Sequence, residues 1–584
     1  MYRKLLKIVS LKKPLKFEIS HRLHSNQSYV IPSPLQRVHI PDAALPDIIF
    51  EKCGKFPEKI AMECAITGRK YTYEDVRNKA INFSQAITKK LKLRKGDVVT
   101  LILPNIPEFG ICILGLLKAS LIVTTINPLN TLDEMRRQLV DSGSKAIITT
   151  CSLHLVVKSS APLPNMPILT IKTEKTDSTP ENVINFQDFV DTPADRNMNM
   201  YLTSSEIAVM AYSSGTTGLP KGVLHSHRNL VTHMTQTNVE EIKILEPTTD
   251  KHQDVVPAII PFTHLYGINA VLISSLLHMS KIVTVPKFNP DVFLNLFKEH
   301  KPTALHVVPA SSKRYLSVLY VIIFIFYIPV LFMINNKMVD HNLLQSLRIV
   351  TVGSAPLSSL NEEKFVRKTG NKICLMQGYG TTESNFVTFT RKSDDPTGSV
   401  GVPVPNTEMK VVAVGSDTEL DHMQEGELFV KGPQIMQGYH KRSDETAKTI
   451  IDGWLKTGDL VYYDKNKKFY IVDRLKDMIK VKGYQVAPAE LEDVICSYAD
   501  ILDAVVIGVP HDTYGEVPRA YVTVKPGTKL DVHKLEQFMV NKVSNYKYLK
   551  GGVVVVKDLP RNALGKYVRH QLRLKYMDAS VTKI

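Results

Sequence analysis

The sequence predicts an α/β protein with a large multi-sheet N-terminal α/β domain and a smaller α+β C-terminal domain. Three observations carry that expectation. The chain has 584 residues, more than one hydrophobic core usually organises. From Ile48 to about Asp473, short Val/Ile-rich runs alternate with helix-like segments, the texture of α/β layers with buried strands. Beyond Arg474 three β-rich runs surround a single helical stretch, within the usual size of one small domain.

Residues 1–40 read as a basic extension, 41–473 as the large domain and 474–584 as the small one. The first 26 residues hold seven Lys or Arg and one acid, Glu18, interleaved with Leu, Ile, Val and Phe, which suits a mitochondrial presequence or a solvated basic tail. The far end, Thr582-Lys583-Ile584, shares one position with the peroxisomal Ser-Lys-Leu address. Peroxisome and mitochondrion are therefore both open. Strands are expected at 98–103, 145–150, 281–285, 304–308 and 347–352, and in the small domain within DAVVIGVP, RAYVTVKP and GVVVVKDLP, with AELEDVICSY as its helix.

One stretch fits neither texture. Residues Tyr315–Asn336 carry no charge, and the apolar core is long enough for a membrane span. A span, a buried strand and helix, and a retained intron all compete here. The third is favoured because Phe326–Val330 can be written as a pyrimidine-rich tract ending in CAG and Ser312-Lys313 as a splice donor, with the frame preserved. Excision would remove 18 residues and join Ser311 to Leu331 through one hybrid Ile or Met codon. A membrane-anchored or inactive product is accordingly kept as an alternative outcome.

Hydrophobic residues make up 44% and charged residues 22%, near globular averages, which excludes a disordered or fibrous chain. The 73 Lys and Arg against 57 Asp and Glu leave a net charge of +16, suited to a polyanionic partner. No helix-turn-helix, zinc-finger or aromatic ribonucleoprotein pattern accompanies the charge, so no nucleic-acid partner is expected. Cysteines 53, 64, 112, 151, 374 and 496 show no CxxC pairing, which reads as reduced thiols inside a cell and argues against structural zinc.

Tyr212–Gly222, YSSGTTGLPKG, packs three glycines, four hydroxyls beyond the tyrosine and a lysine into one short run. Ser213, Ser214, Thr216 and Thr217 offer hydroxyl donors, Gly215 and Gly218 let backbone N–H groups close around an anion, and Lys221 adds a point charge. It is a phosphate cradle without being a Walker loop, because Pro220 stands where the second glycine belongs. In Gly378–Ser384, GYGTTES, Gly378 and Gly380 permit close backbone approach, Tyr379 offers a stacking face, Thr382 a hydroxyl, and Glu383 a carboxylate for Mg²⁺.

These two runs resemble the phosphate-binding and adenine-binding signatures of the adenylate-forming superfamily, which includes acyl-CoA synthetases, 4-coumarate-CoA ligases, beetle luciferases and peptide-synthetase adenylation domains. Further motifs follow in the family's order over roughly residues 40–575. The resemblance implies that Gly353 and Ala355 lie beneath the adenine, that Asp459 holds the ribose hydroxyls, and that Arg474 contacts ribose and phosphates. It makes Lys476 the hinge of a mobile lid, and Lys566, in PRNALGK, the cation of adenylate formation. Lys480 and Gly483 would be presented for thiolation, and His264, in PFTHLYG, would stand where the acyl pocket meets the CoA tunnel.

The implied enzyme is an ATP-dependent acid–CoA ligase with Mg²⁺, ATP, CoA and a small-molecule carboxylic acid as partners. The acid is an aryl-propenoic acid or a medium- or long-chain fatty acid. A luciferase-like monooxygenase is the alternative inside the superfamily, and neither the acid nor the oligomeric state is specified by the residues.

Overall fold

In the computed structural model, residues 29–573 are described, apart from 163–164, 175, 182, 196–200, 214–219, 309–329, 356, 482–483, 512–513, 526, 541, 544, 562–566 and 570. Both targeting expectations, at 1–26 and 582–584, fall outside the described residues, as do Ser214, Gly215, Thr216, Thr217, Gly218, Gly483 and Lys566.

Among the described residues five sheets form, so the mixed α/β expectation holds. The largest has eight strands, with Val98–Ile102 between Ile122–Thr125 and Ala146–Thr150 in parallel register. Every residue of Val98–Ile102 and of Ala146–Thr150 is buried, as expected for central parallel strands covered on both faces. A four-stranded sheet contains Lys281–Thr284, parallel to Val255–Ala258. A five-stranded sheet begins with the parallel set Ala304–Val307, Ile349–Val352 and Cys374–Thr381, then turns antiparallel at Asn385–Phe389. The strands expected from sequence therefore form, most trimmed by a residue or two at their ends.

Within the expected extension of residues 1–40, Ile31 and Pro32 pair antiparallel with Met409 and Glu408, and Ile31 is buried, so these two residues join a sheet of the large unit. Ile31 and Leu35, both buried, make that attachment favourable.

In the C-terminal region Ile501–His511 and Gly515–Val524 form a long hairpin. Val553–Val555 lies parallel to its second strand, and the helix Pro488–Cys496 packs its Leu491 and Ile495 into that region's own apolar core. This self-contained core separates the small unit from the sheet that ends at Phe469–Arg474.

Residues 309–329 lie outside the described residues, but their flanks do not. Val330 N–H donates to the Val308 carbonyl at 3.3 Å, where the short helix Val330–Asn335 begins. Val330, Phe332 and Met333 are buried, and the Phe332 ring packs edge-on to Phe293 with centroids 5.8 Å apart. Chain on both sides of the anomalous stretch thus belongs to the core. Among the described residues, no helix is long and apolar enough to cross a membrane.

Candidate active site

The strands Ile207–Ser213 and Lys221–Ser226 are antiparallel neighbours with Ser213 opposite Lys221, so residues 214–220 join the end of a hairpin. Ser226 then caps the helix His227–Gln236 through reciprocal bonds with Asn229, which ends the strand abruptly and fixes its register. The loop's feet face a cleft of about 3140 Å³ between the large and small units.

At one foot, Lys221 contacts Glu445 and stands 5.0 Å from the Tyr439 ring centroid. The ammonium and Arg442, 3.1 Å away, hold the Glu445 carboxyl below its usual range, led by the bond to Lys221. Tyr439 Oη in turn donates to Glu383 Oε1 at 3.1 Å. Glu383, Tyr439 and Lys221 therefore form one polar row along the cleft wall, backed by Glu445, a partner that sequence reasoning missed because it lies more than two hundred residues from Lys221.

A second cluster surrounds Asp459, which is 2% exposed. Arg474 Nε stands 2.8 Å from Asp459 Oδ1, Tyr379 Oη donates to Oδ2 at 2.5 Å, and the Asp459 N–H bonds Thr457 Oγ1. Asp459 and Arg474 are cross-strand partners, so sheet register brings the T-G-D turn to the D-R-L-K segment. Asp459 raises the Arg474 pKa further, while burial and the same carboxylate raise Tyr379's. Lys476 also lines the cleft; burial, followed by Arg474 alongside, lowers it to about 8.

Gly378 and Gly380 line the cleft and also meet the protein's own atoms closely. A Cβ on Gly378 would stand 2.8 Å from the Phe389 ring, and one on Gly380 would stand 2.0 Å from the Asn385 carbonyl oxygen, at a register shift in the strand pair. The close approach that requires glycine at these positions is made by the protein itself. Gly353 is similar, with Tyr266 3.3 Å from its Cβ position, and the neighbouring Ser354 adopts φ +72°.

Behind Thr382 lies a buried polar chain that the sequence did not reveal. His225 Nε2 donates to the Thr382 carbonyl at 2.8 Å, and Asn385 Nδ2 bonds Gln434 O at 2.9 Å. Asn269 Nδ2 donates to Asn385 Oδ1 at 2.6 Å. Burial pushes His225 down to about 4, so it is neutral near pH 7, and its Nδ1 faces Asn385 Nδ2 at 3.4 Å, consistent with a proton on Nε2. Its only sequence signal was a histidine inside a buried strand.

His264 lines the cleft with Leu265, Tyr266, Asn269, Val308, Phe332 and Phe386. The Tyr266 ring meets Phe386 edge-on at 5.3 Å and His306 at 6.0 Å. Val387, next to Phe386 on the same strand, is fully buried in a different apolar core, because side chains alternate along the strand.

Burial lowers His233 to about 3 and His306 to about 4. His225, His233 and His306 all have folded pKa values below the unfolded one, so they stay neutral when folded and protonate first when unfolded. Their stability contribution is intact above about pH 6.5 and falls as pH drops towards 4, by about 2 kcal/mol per histidine at pH 5. The urea midpoint is expected to be clearly lower at pH 5 than at pH 7.5; equal midpoints would contradict neutral burial.

Lys480 is exposed and is absent from the described cleft lining; its N–H donates to Glu516 Oε2 at 2.8 Å. Arg561 and Tyr567–Arg569, which flank Lys566, line the cleft instead.

Two family models match the chain. Residues 49–440 match the AMP-binding enzyme family and residues 490–566 the AMP-binding enzyme C-terminal domain. The chain belongs to the AMP-binding enzymes. Within them it is 31% identical over 567 residues to 4-coumarate--CoA ligase-like 1 of Arabidopsis thaliana, covering 94% of this chain and 98% of that one. It is 33% identical to 4-coumarate--CoA ligase 1 of Solanum tuberosum, over 93% of this chain and 96% of the relative. Among solved structures, ATP-bound MatB from Rhodopseudomonas palustris aligns with a TM-score of 0.80 at 25% identity, over 92% of this chain and 99% of that one. Apo MatB aligns with a TM-score of 0.69 over the same shares of both chains.

Proposed function

We propose that this chain is an ATP-dependent, AMP-forming acid–CoA ligase that joins an aromatic or apolar monocarboxylic acid to CoA through an acyl-adenylate. The observation that carries this reading is the buried Asp459 carboxylate, held by Arg474 and Tyr379 beside the cleft that the two units share. A carboxylate so placed accepts from a ribose diol, and the adjacent guanidinium faces phosphate. The relatives named above are CoA ligases, which favours ligation over the luciferase-like alternative.

Residues 214–219 with Lys221 would receive the phosphates. The ammonium must then exchange Glu445 for phosphate oxygens, a change of partner that keeps its charge paired. Glu383 fits a magnesium ion brought in by ATP: it is one hard carboxylate, and its neighbours Tyr439 and Thr382 are neutral oxygen groups. Such an ion needs few protein ligands when triphosphate oxygens supply the rest, and among the described residues no group of three metal-ligating side chains forms. When bound it would neutralise charge on the phosphates. The acyl end would lie among Tyr266, Phe386, Phe332 and Val308, an apolar wall beside which burial keeps His233 and His306 neutral.

In the first half-reaction the acid's carboxylate attacks the α-phosphorus and pyrophosphate leaves; in the second, the CoA thiol attacks the acyl carbon and AMP leaves. The described arrangement suits the first: the flanks of Lys566 line the cleft, Lys480 does not, and the chain aligns better with ATP-bound than with apo MatB. Rotation about Lys476 would then bring Lys480 and Gly483 to the site for thiolation.

A second reading concerns residues 312–330. If the 18 residues are excised, the hybrid codon falls four positions after Val308, and the hydrogen bond now made by Val330 N–H to the Val308 carbonyl becomes an ordinary helical i to i−4 bond. This spacing supports a shorter working chain. Because Val308 and Phe332 also line the acyl cleft, the insertion enters at the substrate wall.

One experiment tests both readings. CoA-dependent AMP release is measured over cinnamic and fatty acids for the full chain and for the chain with the 18 residues removed. The shorter chain is expected to be the more active, with apolar monocarboxylic acids preferred over dicarboxylic ones. Activity confined to the full chain would overturn the excision reading; AMP release from neither chain, with both folded, would overturn the ligase reading.

A further inference from the structure

We propose that Asp503 is a positioning residue for adenylate formation, clasping both ends of the loop that carries Lys566. Asp503 lies on the strand Ile501–His511 at a register shift, where the strand departs from regular pairing and its side chain, 6% exposed, joins the cleft lining. Arg561 Nη2 stands 2.7 Å from Asp503 Oδ2, and Tyr567 Oη donates to Oδ1. The two partners bracket residues 562–566. They are themselves an antiparallel bridge pair, the guanidinium carbon lies 3.9 Å from the Tyr567 ring centroid, and Val568 N–H donates to the Pro560 carbonyl at 2.9 Å.

One carboxylate therefore binds the entry and the exit of the loop. Arg569, two residues further on, is held separately by Glu492 at 2.8 Å and 2.9 Å, so the helix beyond the loop is anchored without Asp503. Tyr567 also packs among Val505, Ile507, Val509 and Leu572, which keeps the exit strand on the lid whatever the state of the clasp. The clasp thus acts on the loop rather than on the lid's fold. A cation that must reach a phosphate oxygen gains from a loop with fixed ends, since a displacement of about 1 Å at a reacting group costs on the order of 100-fold in rate.

The inference rests on the proposed adenylation role of Lys566. ATP–pyrophosphate exchange and thiolation of supplied acyl-AMP are measured separately for Asp503→Asn, Tyr567→Phe and Lys566→Ala, with thermal midpoints. Asp503→Asn is expected to lower kcat for exchange on the order of 10- to 100-fold, with KM for ATP and acid and the thiolation rate within about twofold. Tyr567→Phe keeps the ring and the lid core but loses one arm, and should show a smaller loss of the same kind. Should Lys566→Ala fail to lower exchange, the adenylation reading itself falls. If Lys566→Ala lowers exchange and the two clasp variants do not, or if Asp503→Asn lowers both half-reactions equally, the clasp is refuted and the adenylation reading stands.

Discussion

Replacing Lys566 by alanine is expected to lower acyl-adenylate formation on the order of 100- to 1000-fold, about 3–4 kcal/mol of transition-state stabilisation. A carboxylate approaching a triphosphate meets like charge, and in water that repulsion is screened by counterions that a closed cleft excludes. A protein cation delivered to the reacting oxygens replaces them without reorganisation. Thiolation of supplied acyl-AMP should stay within a few-fold, because its nucleophile and leaving group need no such bridge. Exchange kinetics on the shorter chain provide the measurement, and an unchanged exchange rate would remove the lysine from the first half-reaction.

Asp459→Asn carries the second large effect. The substitution preserves size but leaves Arg474 without its carboxylate and turns one acceptor of Tyr379 into an amide. Hydrogen bonds to charged groups contribute about 1.5–3 kcal/mol, so kcat/KM for ATP should fall on the order of 10- to 100-fold. KM for the acid should hardly move, since Asp459 belongs to the nucleotide half of the cleft in this reading. A loss spread equally over both substrates, or none, would show that the carboxylate serves the sheet and not the nucleotide. Unfolding midpoints distinguish the cases, because Asp459 and Arg474 also join two neighbouring strands.

Much of the architecture was legible along the chain. The strands Val98–Ile102, Ala146–Thr150 and Ile349–Val352 could be recognised because a parallel strand buried on both faces must be apolar throughout, and few other structures require that. The small unit's hairpin followed from its β-branched runs. The site was legible in part. Asp459, Arg474, Tyr379 and Glu383 lie together on the cleft, as the order of their motifs implied. Gly378 and Gly380 were recognised as sites of close approach and line the cleft, but that Phe389 and the Asn385 carbonyl also crowd them was not legible, because a ligand and the protein's own atoms impose the same demand for a missing side chain.

The residues missed share a different cause. Glu445, Tyr439, His225 and Asp503 occupy unremarkable local contexts, and each acquires its role from a partner far away in the chain. His225 meets Thr382, Tyr439 meets Glu383, Glu445 meets Lys221, and Asp503 meets Arg561 and Tyr567.

By itself, the sequence determined where chain is buried, where strands and capped helices form, and which residue types are available for phosphate, ribose and metal chemistry; these follow from local periodicity, backbone freedom and formal charge. Only the tertiary structure decided which carboxylate neutralises which cation, which histidines are kept uncharged, and which side of the small unit faces the cleft. Electrostatic roles depend on distance and burial, and both are set by the register and packing of segments that meet only once the chain has folded.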